Sequence, residues 1–473
     1  MILDLEAFKE NYHQAGKFKD NFQEGIKLLP FSSNPSSAFD KGCGLNGTVG
    51  EFFRLWKHDG TKPIEDFTKS AVEPVRKYLD EKNMQEGQIE MFIDMMRDIL
   101  YVDGNLNICD TSFMKYLPLT PDEETLNKQT VSKYKDGQRK LANYLISMLP
   151  PDMENIPAKS GKNLFVDVLS EALRQHVPLE NQTIKRDYYI LPYIAKSFEK
   201  DFKWLMQQNE AVKIKNLKLL LHFYVCYSVT QTLVNVSCKR TEHIDKPEPF
   251  YFILSSEKAY VNHDAIIRGW SNYMKRDFLD RLFGRSQALD ILNSVLGGNI
   301  GFYHEILEAL SSTPFEKNME ACNELLSLYQ AEKRAVFNRR TSEDSGIDIK
   351  DTTVNNYDEF INMLEYLCTG LQSPSYKSRM RKKVIDLLSV RFLQNRKRSG
   401  YILVLDNEML TFLIALFTKS KKTKLEDMYK QFRSYGIYFN RGTRLAIENY
   451  LLKLNLLDRK SDSGETQYVK VIL

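Results

Sequence analysis

Hydrophobic residues recur every three or four positions along most of this chain, a spacing that places them on one side of an α-helix. The segment from Gln88 to Leu100 is an example, with the apolar set Met91, Ile93, Met95, Met96 and Ile99. Before the C-terminal region, the strand-like run is Pro249–Leu254. Because we find no βαβ alternation and no internal repeat, the pattern predicts a mainly α protein.

The longest apolar stretch, Leu217–Val236, raises the question of a membrane span. It contains Lys218, His222 and Gln231, which are costly in hydrocarbon. We therefore predict a buried core helix in a multi-helix N-terminal and middle region.

Composition and chain-breaking residues divide the sequence into five predicted units. Pro150-Pro151 interrupts the first helical pattern, and the run around Thr341–Gly346 has the polarity of an exposed segment. The predicted units are an N-terminal helical region at 1–150, a middle helical region at 151–337 with a short strand-like segment, a polar linker at 338–356, a helical connector with a basic face at 357–400, and a small C-terminal domain at 401–473.

The C-terminal domain shows three helical stripes followed by a hairpin pattern. The predicted inward residues are Leu410, Leu413, Ile414 and Phe417 in the first helix, Leu425, Met428, Tyr429 and Phe432 in the second, and Ile447, Tyr450, Leu451 and Leu454 in the third. Thr423 and Glu426 fit a capping box at the start of the second helix, and Gly436 is suited to end it in the left-handed conformation.

The residues after the third helix predict a two-stranded wing. Leu456–Lys460 and the run from Gln467 to the end flank a turn at Ser461–Gly464. Three helices and a wing are typical of a winged helix, whose third helix commonly enters the major groove of DNA. The same fold also serves for docking on proteins, and Glu448 would then pair with Arg444 at helical spacing.

Positive charge is concentrated at the C-terminal end. Residues 377–473 carry 21 Lys+Arg and 9 Asp+Glu, a net charge of +12, whereas residues 1–376 carry a net charge of −8. Such a split favours a polyanion or an acidic partner at that end, although a basic face is also compatible with simple solvation. The predicted DNA-binding residues are Lys377, Arg379, Arg381, Lys382, Lys383, Arg391, Arg396, Lys397, Arg398, Arg441, Arg444, Lys453, Arg459 and Lys460.

Motifs for catalysis are incomplete. The glycine-rich run Lys41–Gly50 lacks a preceding strand, which favours a flexible loop over a nucleotide site. Ser160-Gly161-Lys162 lacks the rest of a P-loop. His304-Glu305 has Glu308 where a zinc protease needs its second histidine. The acid-x-Lys tripeptides at Asp201 and Asp348 lie in a helical pattern and in the polar linker. We therefore predict no enzyme activity, catalytic residue, metal or cofactor for the chain alone.

The spacing of the cysteines and the first residues of the chain indicate the cellular compartment. The six cysteines are widely spread and form no C-x-x-C pair, which favours reduced thiols. Met1–Glu6 has early acids and no apolar signal segment. We expect a cytoplasmic protein.

Two stretches resemble the DptG family of DNA phosphorothioation-dependent restriction proteins. One is the C-terminal Tyr438–Leu473, especially Tyr450–Gly464 and Gln467-Tyr468-Val469, and the other is Pro249–Ala259. The resemblance implies a subunit of a bacterial anti-phage assembly that damages DNA lacking a sulfur mark on its phosphates. It also implies DptF and DptH as partner subunits that supply the ATPase and helicase-like parts. In that assembly, this chain would be a scaffold that contacts double-stranded DNA.

Two other functions fit the residues. A winged-helix transcription regulator would bind a palindromic operator as a homodimer. A nuclease with diverged motifs would cleave DNA with a divalent metal.

Overall fold

The computed structural model describes residues 3–14, 17–18, 27–31, 45–57, 60–64, 71–102, 105–106, 108–119, 128–155, 163–177, 184, 186–238, 246–257, 263–273, 276–297, 301–341, 353–459 and 467–472. As predicted, the protein is mainly α, with a few small sheets.

Helices account for most of the first two thirds of the chain. They are α1 Leu5–Tyr12, α2 Asn46–Lys57, α3 Val72–Glu81, α4 Glu86–Leu100, α5 Lys128–Ile146, α6 Leu164–His176, α7 Pro192–Met206, α8 Glu210–Cys238, α9 His263–Arg268, α10 Trp270–Tyr273, α11 Arg276–Val295, α12 Tyr303–Ser311 and α13 Phe315–Thr341. Short 3-10 turns lie at Thr111–Tyr116 and Pro151–Asn155.

The last five helices follow the segment at 342–352, where most of the predicted polar linker lies outside the described residues. The later helices are α14 Tyr357–Gly370, α15 Pro374–Ser389, α16 Asn407–Thr418, α17 Leu425–Ser434 and α18 Arg441–Lys453. The strands are β1 His13–Gln14, β2 Lys17–Phe18, β3 Tyr101–Val102, β4 Asn105–Leu106, β5 Phe250–Tyr251, β6 Ile253–Leu254, β7 Leu393–Asn395, β8 Tyr401–Leu405, β9 Thr423–Lys424, β10 Ile437–Tyr438, β11 Leu457–Arg459 and β12 Gln467–Val469.

The helices α3, α4 and α6 enclose a small hydrophobic core of their own with the turn at Thr111–Tyr116. Ile89, Ile93 and Met96 lie at i, i+4 and i+7 on α4 and are buried in it. Met91 and Met95, which belong to the same apolar set in sequence, are exposed. Core packing therefore explains the apolar residues on one side of α4, but it does not explain Met91 and Met95 on the opposite side.

Helix α8 lies at the centre of the larger core, as the apolar stretch at Leu217–Val236 predicts. Its polar groups find partners inside the fold. Gln231 donates to the Glu248 carbonyl at 2.9 Å, and the Ser228 hydroxyl is 2.7 Å from that of Tyr144. No helix in the described part of the chain is long and apolar enough to cross a membrane.

The strand-like segment at Pro249–Leu254 joins the middle of the chain to its C-terminal region. β5 pairs in parallel with β10, and β6 pairs in parallel with β8, which is hydrogen-bonded on its other side to β7. The C-terminal sheet has the order β11-β12-β9, with antiparallel pairs throughout.

The three predicted C-terminal helices are confirmed, but the cap of the second is not. The Thr423 hydroxyl donates to the Lys421 carbonyl at 2.8 Å, and Lys424 precedes α17 without a side-chain cap bond. The capping box is wrong because Thr423 is part of β9, where it pairs with Val469. Gly436 does adopt the left-handed conformation, with φ of 71°.

Two further local predictions need correction. Arg391 does not lie on the basic helix of the predicted connector at 357–400, because α15 ends at Ser389 and Leu393–Asn395 forms β7. The glycine-rich run is not wholly a loop, since Gly47 and Gly50 lie in the first turns of α2. A side chain at Gly50 would meet the Leu117 carbonyl at 2.9 Å, so the missing side chains allow close packing there. Residues 41–44 lie outside the described residues.

The hydrophobic core is continuous across the predicted boundary at residue 400. The rings of Phe417 and Tyr435 stack with centroids 4.1 Å apart, and Phe223 of α8 contacts both. Below them, the buried Asp201 accepts hydrogen bonds from Tyr224 at 2.7 Å and Tyr435 at 2.8 Å and pairs with Lys419. The C-terminal helices therefore pack directly on α7 and α8.

Candidate nucleic-acid interface

A short turn at residues 254–257 brings two basic segments to the same place. Arg396 donates to the Ser255 carbonyl at 2.6 Å, and the Thr443 hydroxyl lies 3.3 Å from the Glu257 carboxylate. Glu257 in turn accepts from the Leu254 amide at 2.7 Å, which fixes the turn. The loop between β7 and β8 and the first turn of α18 therefore flank one turn.

Three of the predicted cations lie on these two segments with their side chains in solvent. Lys397 and Arg398 are exposed in the loop that follows Arg396, and Arg441 is exposed at the start of α18. Asn440 caps α18 by accepting from the Thr443 amide at 2.8 Å, so the backbone that carries Arg441 is well defined. Three exposed positive charges beside one turn are suited to phosphate contact.

Helix α15 contributes further exposed cations. Arg379 and Lys382 are exposed, whereas Met380, Val384 and Leu387 on its other side are buried. Lys377 and Lys383 each interact within the chain. Arg381 is ion-paired to Asp280 of α11 at 3.1 Å, with both side chains mostly buried. The helix therefore combines cations available to a partner with one that holds it in place.

Four of the predicted DNA-binding arginines already have roles within the fold. Besides Arg381 and Arg396, Arg391 bridges Asp406 at 3.3 Å and Glu408 at 2.6 Å, at the start of α16. Arg444 lies over the Tyr429 ring at 4.8 Å and is 3.6 Å from Glu426. These contacts join elements that are distant in sequence. For that reason, counting charges alone did not separate these four arginines from the exposed cations.

Lys453, the last residue of α18, is the remaining predicted cation whose side chain is described. Lys453 is exposed. The side chain of Arg459 is not described, and Lys460 lies outside the described residues. Two exposed cations that the sequence analysis did not include, Lys421 and Lys424, lie near the start of α17. The sequence could have indicated both lysines, since they belong to the charged segment between the apolar stripes of α16 and α17.

The outward side of α18 carries two exposed leucines among its polar side chains. Leu445 is 53% exposed and Leu452 is 39% exposed, and they lie seven residues apart on the same side. Ile447 and Leu451 are buried as predicted, but Leu454 is exposed. The prediction for Leu454 is wrong because α18 ends at Lys453, before that residue can turn inward.

The residues of the incomplete catalytic motifs have structural roles or lie outside the described residues. Asp201 is fully buried among hydroxyl donors and Lys419. Glu305 accepts from the Phe302 amide at 2.6 Å and caps α12. Residues 160–162 and 348–350 lie outside the described residues. In the part of the chain that is described, no three His, Cys, Asp or Glu side chains gather as a metal site would require.

No family model matches the sequence, and a search of curated proteins finds no match.

Proposed function

We propose that residues 401–473 form a winged helix, and that the chain is a non-catalytic scaffold and DNA-contacting subunit of a bacterial phosphorothioation-dependent restriction complex. The order α16, β9, α17, β10, α18, β11, β12 supports the first part, because a winged helix has three helices followed by a hairpin, and β9, β11 and β12 form one sheet here. Its hairpin packs beside the second and third helices, where it can reach a DNA backbone.

The observation that carries the DNA-contact proposal is the turn at residues 254–257. It holds the loop with Lys397 and Arg398 next to the helix that begins with Arg441. Cations supplied by separate segments and fixed around one turn can neutralise neighbouring phosphates together. Sequence-independent contact of this kind suits a scaffold subunit.

The restriction-complex proposal rests on the resemblance of two stretches that are far apart in sequence. In the fold, the described parts of these two stretches are connected, because Tyr438 pairs with Tyr251 and the Thr443 hydroxyl lies 3.3 Å from the Glu257 carboxylate. The resemblance therefore concerns one connected structural unit. Subunits of the DptF and DptH type would supply the ATPase and helicase-like activities.

DNA contact is tested by fluorescence anisotropy with a labelled duplex at several salt concentrations. We expect the Lys397→Glu/Arg398→Glu variant to bind at least about tenfold more weakly than the unaltered protein. Loss of two phosphate contacts should reduce the slope of log affinity against log salt by about 2. Unaltered affinity and slope would refute the DNA-contact surface.

Lys77→Glu/Lys82→Glu is the matched control. Both lysines are exposed on or next to α3, and the variant changes the net charge by the same amount. It should retain the affinity of the unaltered protein. A substitution that reverses the charge at Arg381 is a poorer test of DNA contact, because it would also break the ion pair to Asp280.

The restriction-complex proposal is tested by co-expression with DptF and DptH type subunits and size-exclusion chromatography. Co-elution of all three is the expected result. If the chain binds DNA but elutes alone, the DNA-contact proposal stands and the assignment to this complex fails.

A further inference from the structure

Two tyrosines lie side by side on the small sheet of β5 and β10, next to the turn at residues 254–257. Tyr251 and Tyr438 are partners in the parallel register, and their ring centroids are 5.6 Å apart with the ring planes inclined by 38°. The residues that precede them, Phe250 and Ile437, are buried in the larger core. Successive side chains of a strand point to opposite faces of its sheet, so the tyrosines lie on the other face, where both are half-buried.

The two rings differ in their surroundings. Tyr251 packs against the small core that contains Ile253 and Val404, and the Arg268 guanidinium lies 5.7 Å from its ring centroid. Among the described residues, Tyr251 supplies the one aromatic contact of the Tyr438 ring, which packs against none of the hydrophobic cores. Core packing therefore explains the position of Tyr251 and leaves the Tyr438 ring without a purpose inside the fold.

Exposed cations lie on three segments beside this pair. They are Arg268 at the end of α9, Arg441 at the start of α18, and Lys397 and Arg398 in the loop between β7 and β8. The carboxylates of Glu248 and Glu257 belong to the same region, but both residues already interact within the chain. The charge available to a partner beside the tyrosines is therefore positive, which suits a polyanion.

A half-buried aromatic ring beside exposed cations is the arrangement that binds unpaired nucleic-acid bases. The cations contact the backbone phosphates, and a base stacks on the ring through its π-face. We propose that an unpaired base stacks on Tyr438 while the neighbouring cations contact the DNA backbone. This inference rests on the proposed DNA contact and adds that the preferred DNA has an unpaired segment beside a duplex.

The test compares three labelled DNAs that share one duplex, by fluorescence anisotropy with the full chain. The first is blunt, the second carries an overhang of about eight thymidines, and the third carries an abasic overhang of the same length. The two overhangs have the same phosphate charge, so a difference in affinity between them measures contact with the bases. We expect the thymidine overhang to bind at least about fivefold more tightly, as one stacked base provides. Equal affinity for the two overhangs would overturn the proposal.

Substitutions at Tyr438 assign the preference to this ring. Tyr438→Leu should remove the preference for the thymidine overhang, while the affinity for the blunt duplex and its salt dependence stay those of the unaltered protein. Tyr438→Phe keeps the ring and should keep the preference. Tyr366→Leu, which alters a tyrosine 57% exposed on α14, is the matched control and should also keep it. If Tyr438→Leu retains the preference, the base does not stack on Tyr438 and the proposal fails.

The blunt duplex separates this inference from the proposed DNA contact. Lys397→Glu/Arg398→Glu should weaken the binding of all three DNAs by similar factors and should leave the preference for thymidine in place. If that variant binds the blunt duplex normally, the DNA-contact surface is refuted, whereas a thymidine preference that depends on Tyr438 still stands.

Discussion

Asp201 connects two helices of the middle region to the C-terminal helices. Its carboxylate is fully buried and accepts from Tyr224 and Tyr435 while it pairs with Lys419. Burial lowers the pKa of Lys419, and the carboxylate opposes that shift. A negative charge in this position is tolerated because each of its oxygens has a donor. The sequence marked Asp201 as part of an acid-x-Lys tripeptide, but its role is structural.

Removal of this carboxylate should strongly destabilise the protein. Asp201→Ala leaves two buried hydroxyls and a partly buried ammonium without their acceptor, and we expect a loss of about 3 kcal/mol in the free energy of unfolding. Urea unfolding measures it. As the control, Asp427→Ala removes a carboxylate 2.8 Å from Lys430 on the surface and should leave the unfolding midpoint unchanged. Equal midpoints for both variants would contradict the role given to Asp201.

His222 should make stability depend on pH. Burial lowers its pKa from 6.5 to about 3, and the nearby Arg391 and Lys218 act in the same direction. The folded protein therefore keeps His222 neutral while the unfolded chain takes up a proton below pH 6.5. The contribution of neutral His222 to the free energy of unfolding is fully present above pH 6.5. It is lost progressively as the pH falls towards 3.

Substitution of His222 by leucine removes this pH dependence. Between pH 7.5 and pH 5.5 the unaltered protein should lose about 1.4 kcal/mol more than His222→Leu, which corresponds to a tenfold change in the unfolding equilibrium. Urea unfolding of both proteins at the two pH values gives the difference. Parallel losses would show that His222 is not the responsible group.

At the level of elements, Gly436 determines how α17 is followed by β10. Its left-handed backbone turns the chain, and its carbonyl then accepts from the Phe250 amide at 2.7 Å, which starts the pairing with β5. A side chain there would meet the Glu248 carbonyl at 2.5 Å. The glycine is therefore required both for its φ angle and for space.

Alanine at Gly436 should destabilise the fold by at least about 1–3 kcal/mol, because it adds left-handed strain to a backbone clash. Gly87→Ala on α4 is the matched change, since a side chain there has open space and alanine favours the helix. It should leave stability equal or slightly raised. The comparison uses thermal unfolding of both variants. A similar loss from each would show that the effect is not specific to the turn.

Local sequence predicted where the helices lie better than it predicted which of their apolar side chains are exposed. The stripes of α16, α17 and α18 are visible in sequence because each helix buries residues at a fixed spacing. The same spacing could not show that Met91 and Met95 are exposed while Ile93 and Met96 are buried. That outcome depends on which side of α4 meets α3 and α6.

On the scale of the whole molecule, the C-terminal region and α8 stabilise each other. Phe417 and Tyr435 cover Phe223, and β8 completes the sheet that β6 begins. A chain ending at Tyr376 would expose these apolar surfaces. Each large side chain contributes about 1.5–3 kcal/mol when buried, so several together approach the stability of a whole domain.

We expect the shortened chain to bind a hydrophobic dye and to lose cooperative unfolding. The full chain should bind no dye and should unfold cooperatively. Dye fluorescence and circular dichroism measure the two properties. A cooperative, dye-free fragment would contradict the shared core. The full-length Lys397→Glu/Arg398→Glu variant should keep cooperative unfolding, because both side chains are exposed.

The sequence by itself determined the mainly α character, the buried central helix, the three C-terminal helices and the basic C-terminal end, because these follow from local periodicity and composition. Only the tertiary structure decided that Arg381, Arg391 and Arg444 hold elements together while Lys397, Arg398 and Arg441 remain in solvent. Ion pairs between Arg381 and Asp280, or strand pairing between Phe250 and Ile437, depend on contacts between residues far apart in the chain. Spacing along the sequence does not encode such contacts.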